Sequence, residues 1–246
     1  MRRFENKTAI ITGSSRGIGR AIAERLGSEG ARVVLTGRDE KALADAQARI
    51  SGSVSLPLDL RKPDAGAKLT AFALERFGSI DILVNNAGAT KRGEFLDLAD
   101  ADFQDGFALK YFGAVRLTRA AWASLKSTKG SVIFISGVGG RTPGAQFTIG
   151  GSVNAALLSF TKAIAELGLR DGVQVNAINP GTIRTARFQA RLKSPDDEAV
   201  FVREAKITRV GEPEDIASLV AFVASPEGRL LHGSIIDMDA GATKTI

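Results

Sequence analysis

Along the chain, short apolar runs alternate with longer stretches in which apolar residues recur every three or four positions. The short runs, Thr8–Thr12, Arg32–Thr36, Ser53–Pro57, Ile80–Val84, Ser131–Ile135, Val173–Asn179 and Ser234–Asp239, read as strands. Runs that lack polar alternation fit a sheet buried on both faces. Between them, Leu43, Ala46 and Ile50 form an i, i+3, i+7 stripe behind Asp39, a residue suited to cap a helix. Pro63 suits the first turn of a helix running towards Phe77, with Gly78 just beyond, and Pro213 opens another that carries Ile216, Leu219, Val220 and Val223. Strands alternating with helices predict an α/β fold, a doubly wound, seven-stranded parallel sheet with helices on both faces, in a single domain over 1–246. Right-handed crossovers then put ligands beyond the C-terminal ends of the strands. The pattern is least regular from Gly181 to about Val210, a stretch that holds Ser194-Pro195-Asp196-Asp197. It predicts a lid-like insertion at about 184–210, a functional lid or a small helical insertion.

Composition narrows the picture modestly. No apolar run approaches the roughly 18 residues of a membrane span, and Glu5-Asn6-Lys7 follows Met1-Arg2-Arg3 where an export signal would turn apolar. The chain has no Cys, hence no disulfide, thiol nucleophile or thiolate-bound metal, and its single His232 stands apart from any ligand spacing. No metal and a cytoplasmic location are the expectations. The formal charge of +6 admits nucleic-acid binding, but Lys and Arg are interleaved with acids and form no basic run with stacking aromatics. Solvated surface is the simpler reading, with neither nucleic acid nor membrane as partner.

The chemistry begins after the first strand, at Thr12-Gly13-Ser14-Ser15-Arg16-Gly17-Ile18-Gly19. Gly13 permits a tight turn, while Gly17 and Gly19 let backbone approach a pyrophosphate, whose charge the helix N-terminus favours. Ser15, Arg16 and Ile18 belong to the same loop. A Gly-rich turn placed between Ala9-Ile10-Ile11 and Ile22-Ala23 is a specific signal for a Rossmann-type dinucleotide site. The second strand leads to Gly37-Arg38, with no acid where an NAD site usually holds the ribose hydroxyls. Two guanidinium groups, Arg16 and Arg38, suit the 2′-phosphate of NADP(H). The competing reading is that Arg38 is a solvated helix-start residue beside Asp39 and Glu40.

With Asn85-Asn86-Ala87-Gly88 and Pro180-Gly181, these motifs resemble a short-chain dehydrogenase/reductase over essentially the full chain, through Asp237-Met238-Asp239-Ala240-Gly241. The resemblance implies that Asp59 and Leu60 meet adenine, that Asn86, Ala87 and Gly88 lie along the cofactor ribose, and that Pro180, Gly181, Ile183 and Thr185 meet the nicotinamide carboxamide and pyrophosphate. It also implies a homodimer or homotetramer paired through the helices that end near Leu125 and Gly168. In that family a Ser is followed thirteen residues on by a Tyr, and four later by a Lys. Here Ser136 is followed by Ile149 and Val153. The following segment, through Thr161-Lys162-Ala163, matches without a gap, and the one Tyr, Tyr111, lies on an earlier helix, about 100° around it from Lys110.

The family Tyr exchanges a proton with the substrate oxygen, and its Lys lowers the Tyr pKa and holds the nicotinamide ribose. Ile149 and Val153 do neither, and with Phe160 they read as an apolar stripe. Lys110 stands where the family places an Asn. It is long enough to reach the vacated space, and it is equally able to point into solvent. Ser136 and Lys110 are therefore the candidate catalytic residues. Two readings remain open: an NADP(H)-dependent oxidoreductase acting on a small carbonyl or alcohol substrate with altered proton transfer, or a catalytically silent dinucleotide-binding protein. Lys91, Arg92, Arg141 and Arg184 all leave strand C-terminal ends. They make an anionic substrate one expectation and plain solvation the other.

Overall fold

The computed structural model describes residues 2–194 and 196–244; Pro195 of the predicted insertion lies outside them. The elements run β1 (Thr8–Thr12), α1 (Gly17–Ser28), β2 (Arg32–Gly37), α2 (Glu40–Ala48), β3 (Val54–Pro57), α3 (Ala65–Phe77), β4 (Ile82–Asn85) and α4 (Asp100–Gly106). A π-helical turn at Phe107–Phe112 leads into α5 (Gly113–Thr128), then β5 (Ser131–Ile135), α6 (Thr148–Asp171), β6 (Gln174–Pro180), α7 (Ala186–Gln189), α8 (Asp197–Ala205), α9 (Pro213–Ala224) and β7 (Ile235–Met238). The seven strands form one parallel sheet in the order β3-β2-β1-β4-β5-β6-β7. Strand order reverses between β1 and β4, so the loops that follow them diverge to either side of one crevice.

Alternate strand residues feed two cores. Ala9, Ile11, Val33, Leu35, Ile133 and Ile178 pack with α1, α2 and α9 on one face. Ile10, Val34, Leu83, Val132, Phe134 and Val175 pack with α3, α5 and α6 on the other. Strands buried this way need no polar alternation, which is why the apolar runs located them. Asp39 caps α2 by accepting from the Ala42 N–H at 3.0 Å, and Gly78 ends α3 at φ +76°.

The boundaries moved where side chains displace ladder bonds. The fourth strand starts at Ile82 rather than Ile80 because the Ile80 N–H donates to Ser124 Oγ at 2.8 Å and Asp81 accepts from the Thr8 N–H at 3.0 Å. The last strand starts at Ile235, because the Ser234 N–H donates to Asn176 Oδ1 at 2.9 Å. Pro63 sits just ahead of α3, whose N-cap is Asp64. Residues 184–210 contain two short helices, α7 and α8, anchored where Ile183 bridges to Gly211. Among the described residues no helix is long and apolar enough to cross a membrane.

Candidate active site

The glycine loop is shaped by close approach. Gly13 and Gly17 hold φ of +64° and +55°, values that a side chain strains to adopt. A Cβ on Gly19 would lie 2.3 Å from the Gly13 carbonyl oxygen and 2.5 Å from Asn86 Nδ2. The Asn86 amide is turned into this loop, donating to the Thr12 and Gly13 carbonyls at 2.8 and 3.3 Å. Thr12 Oγ1 accepts from the N–H groups of Asn86 and Ala87, both at 2.9 Å. Asn86 thus braces the loop, and only backbone is left along 86–88 to line the crevice. Arg16, the N-cap of α1, offers no side-chain cap, so the first N–H groups of α1 keep their capacity to meet phosphate oxygens. Thr185 closes the other side, its methyl 3.4 Å from where a Gly17 Cβ would stand. Ile18 is half-buried. These residues fit a dinucleotide. Replacing Gly19 by Ala forces the loop open, and the expected outcome is a loss of about 1–3 kcal/mol in stability, read as a lower Tm.

At the end of β2, Gly37 leaves room beside Ser15, whose Oγ is 3.4 Å from a Cβ built there. Arg38 is exposed, whereas Arg16 is ion-paired with Asp39 at 2.6 Å. Of the two guanidinium groups, Arg38 is the one ready to meet a phosphate, and Arg16 must exchange Asp39 for it. Asp59 accepts from the Arg61 N–H at 3.1 Å, and Leu60 is buried behind it. Pro180 ends β6, Gly181 packs so closely on Asp239 that a Cβ would lie 2.7 Å from its Cα, and Ile183 is buried.

The catalytic candidates converge beyond β5. Lys110 lies in the π turn, a widening of the helix that recurs at functional sites. Its stem crosses Gly88, where a Cβ would meet Lys110 Cδ at 2.8 Å. Its ammonium donates to the Ser136 carbonyl at 2.8 Å and to Asn154 Oδ1 at 2.6 Å. Lys110 is half-buried as a residue, with the ammonium at the deep end of the side chain. Burial, and secondarily the Arg187 charge, lower its pKa to about 7. The buried Ser136 hydroxyl donates to the Asn154 carbonyl at 3.1 Å, so towards any other group it is left to accept unless it rotates. Asn154 is buried, and Gly137 admits its amide, a Cβ there falling 2.9 Å from Nδ2. Asn154 was missed in the sequence because nothing in its spacing marks it. Ile149 and Val153 are fully buried on the same helix, with Ile149 filling the space above Gly106. Tyr111 stacks edge-on against Phe107, Phe112 and Phe160, away from the ammonium. His232 bonds the Ala165 carbonyl at 2.7 Å, a packing role.

The four cations expected at the crevice mouth are not alike. Lys91 pairs with Asp102 at 2.7 Å and Arg141 with Asp237 at 3.3 Å. Arg184 is clasped by Glu198 and Glu212, which raise its pKa, so it staples the 184–210 insertion to α9 and leaves no positive charge at the crevice mouth. That correction leaves Arg92, which lies over the Phe147 ring at 3.9 Å from its centroid. A cavity of about 560 Å³ between α8 and residues 208–210 is lined by the same paired Arg184 and Glu198, together with Arg209, itself paired to Asp215. It is separate from the Lys110 site.

A family model described as enoyl-(acyl carrier protein) reductase matches residues 13–243. The chain belongs to the short-chain dehydrogenase/reductase family. Among its relatives in that family, an uncharacterized oxidoreductase of Mycobacterium tuberculosis (strain CDC 1551 / Oshkosh) is 36% identical over 250 residues, covering 99% of this chain and 94% of the relative. The 3-oxoacyl-acyl-carrier-protein reductase of Salmonella typhimurium is 32% identical, covering 97% and 98%. The L-sorbose reductase of Gluconobacter frateurii, solved with NADPH and L-sorbose, superposes with a TM-score of 0.93 at 30% identity over 100% of both chains. The short-chain dehydrogenases thus share this seven-stranded sheet with the protein along its whole length.

Proposed function

We propose that the protein is an NADP(H)-dependent oxidoreductase that interconverts a small carbonyl compound and its alcohol, with Lys110 carrying the proton. The observation that supports this reading best is the Lys110 ammonium, held between Ser136 and Asn154 with its pKa lowered to about 7. A general acid–base group works best when its pKa lies near the operating pH. In this reading Ile149 and Val153 stand at the positions of the family's Tyr and Lys, and being buried and apolar they take no part in proton transfer.

Gly13, Ser15, Gly17, Ile18 and Gly19 would hold the pyrophosphate, Arg38 and Arg16 the 2′-phosphate, and Asp59 and Leu60 the adenine. The backbone of 86–88 and of Pro180, Gly181, Ile183 and Thr185 would line the nicotinamide side. NADPH bound there would supply hydride chemistry to a carbonyl carbon. Lys110 gives its Nζ proton to the developing alkoxide oxygen and regains one from water, while the Asn154 and Ser136 oxygens hold the nitrogen in place. In the oxidative direction the neutral amine accepts the hydroxyl proton. The Ser136 hydroxyl orients the substrate oxygen once it turns from the Asn154 carbonyl. The 184–210 insertion acts as a lid over this crevice.

Assembly belongs to the same proposal. The π turn that leads into α5 carries Phe112, exposed by 45%, and α6 carries Leu169, exposed by 71%, apolar surface suited to a two-fold contact. The expected state is a homodimer or homotetramer, and light scattering that finds a monomer at micromolar concentration would contradict it. The function itself is tested by following NADPH absorbance with ketoses and 3-oxoacyl thioesters. Steady turnover supports the oxidoreductase, while tight NADPH binding without turnover by any carbonyl compound supports the silent dinucleotide-binding alternative.

A further inference from the structure

We propose that Arg92, Arg187 and Arg191 form a binding site for an oxyanion group, carboxylate or phosphate, carried by the substrate away from its reacting carbonyl. The inference rests on the crevice being the substrate site and adds the substrate's chemical class. Arg92 comes from the loop after β4 and lies over Phe147, the residue that leads into α6 four positions before Gly151. Arg187 comes from α7 in the insertion after β6 and donates to the Gly88 carbonyl at 3.3 Å. Gly88 is the residue over which the Lys110 stem passes. Arg191 stands two residues beyond the end of α7, near enough for its charge to act on Arg92. Arg92 and Arg187, with Arg191 beside them, therefore line the approach to Gly88 and Lys110.

What singles them out is the company they keep. Lys91, Arg141 and Arg184 each have a carboxylate partner. Arg92 instead feels Arg191 and Arg187, both of its own sign, and with burial these lower its pKa. Lys110 in turn feels Arg187. Among the described residues none of the three exposed arginines has an acidic partner, so three fixed positive charges share one crevice with Lys110. Like charges brought together from separate loops repel, and an anion placed among them reverses the sign of that interaction. Planar guanidinium groups match carboxylate and phosphate oxygens two bonds at a time. Contact with the Phe147 ring holds the Arg92 guanidinium in place, and Arg187 is held by a backbone carbonyl. A neutral ketone of the same shape leaves the repulsion in place, which makes this cluster a determinant of specificity.

The test uses the full chain loaded with NADPH and calorimetric titration at low salt. Succinate is the carboxylate probe, glycerol 3-phosphate the phosphate probe, and succinamide and glycerol their neutral counterparts. At least one anion is expected to bind about tenfold or more tightly than its neutral counterpart. Arg187→Gln and Arg92→Gln should each weaken it by about tenfold, and added salt should weaken it further. Binding of one anion and not the other identifies the group. If neither anion outperforms its neutral counterpart, or if both variants bind as the wild type does, the site is overturned. NADPH fluorescence in the same samples separates the two claims. Retained NADPH binding without anion binding overturns the arginine site alone, and arginine-dependent anion binding without NADPH binding overturns the cofactor reading alone.

Discussion

Lys110→Met lowers kcat for carbonyl reduction by about 10²–10⁴-fold, the usual effect of removing a positioned general acid. NADPH affinity should be nearly unchanged, because the Lys110 ammonium bonds the Ser136 carbonyl and Asn154 Oδ1 and touches neither the glycine loop nor Arg38. Methionine matches the length of the lysine stem, so the packing over Gly88 is kept while the donor to Asn154 Oδ1 and the Ser136 carbonyl is lost. The same variant has a stability signature. Lys110 titrates near 7 in the folded protein and near 10.5 when unfolded, so between those values the unfolded chain binds the extra proton. Stability contributed by this group therefore rises as pH rises through that window, by at most about 1.4 kcal/mol per pH unit. Subtracting the Lys110→Met denaturation curves from the wild-type curves isolates it. A difference that stays flat from pH 7 to 10 would mean that the ammonium is not enclosed.

The paired change Gly37→Asp and Arg38→Leu reverses cofactor preference. Loss of a charge-assisted contact to the 2′-phosphate removes about 1.5–3 kcal/mol of NADPH binding, ~10–150-fold in Kd. The new carboxylate gains the ribose hydroxyls of NADH and repels a phosphate. The site has room for it, since a Cβ at 37 comes no nearer than 3.4 Å to Ser15 Oγ and 3.8 Å to Leu43, ordinary contact distances. Arg16 alone should not rescue NADPH binding, because its ion pair with Asp39 must first be broken. Fluorescence titration with both nucleotides reads the outcome directly. Equal affinities in the wild type would remove the role given to Arg38.

The centre of the sheet was legible because β1, β4, β5 and β6 are buried, and apolar runs then mark them; the edge strands β3 and β7 are only half-buried or exposed. The glycine loop was legible for a related reason: positive φ at Gly13 and Gly17 and the 2.3 Å approach at Gly19 leave no other residue that fits. Lys110 could be named from its register but not oriented, since its direction depends on a π turn and on Gly88, far away in sequence. Asn154 was invisible, because a buried amide one residue past Val153 acquires meaning only from the Lys110 and Gly137 it touches. Charge at the crevice mouth was left open between an anionic ligand and plain solvation, because sequence shows cations and not their partners. Arg184 is neutralised by Glu198 and Glu212, fourteen and twenty-eight residues away, while Arg187 and Arg191 stay unpaired among the described residues.

The most direct test of the central claim is the pH dependence of kcat/KM for NADPH-driven carbonyl reduction, measured for the wild type and for Lys110→Arg. The wild type should lose activity as pH rises through about 7, where the Lys110 ammonium gives up its proton. Alcohol oxidation should show the mirror image. Lys110→Arg keeps the charge but holds its proton throughout this range, so its rate should be low and flat across pH 7. A wild-type profile that is flat through pH 7, or one that Lys110→Arg reproduces, would contradict the assignment of Lys110 as the proton carrier.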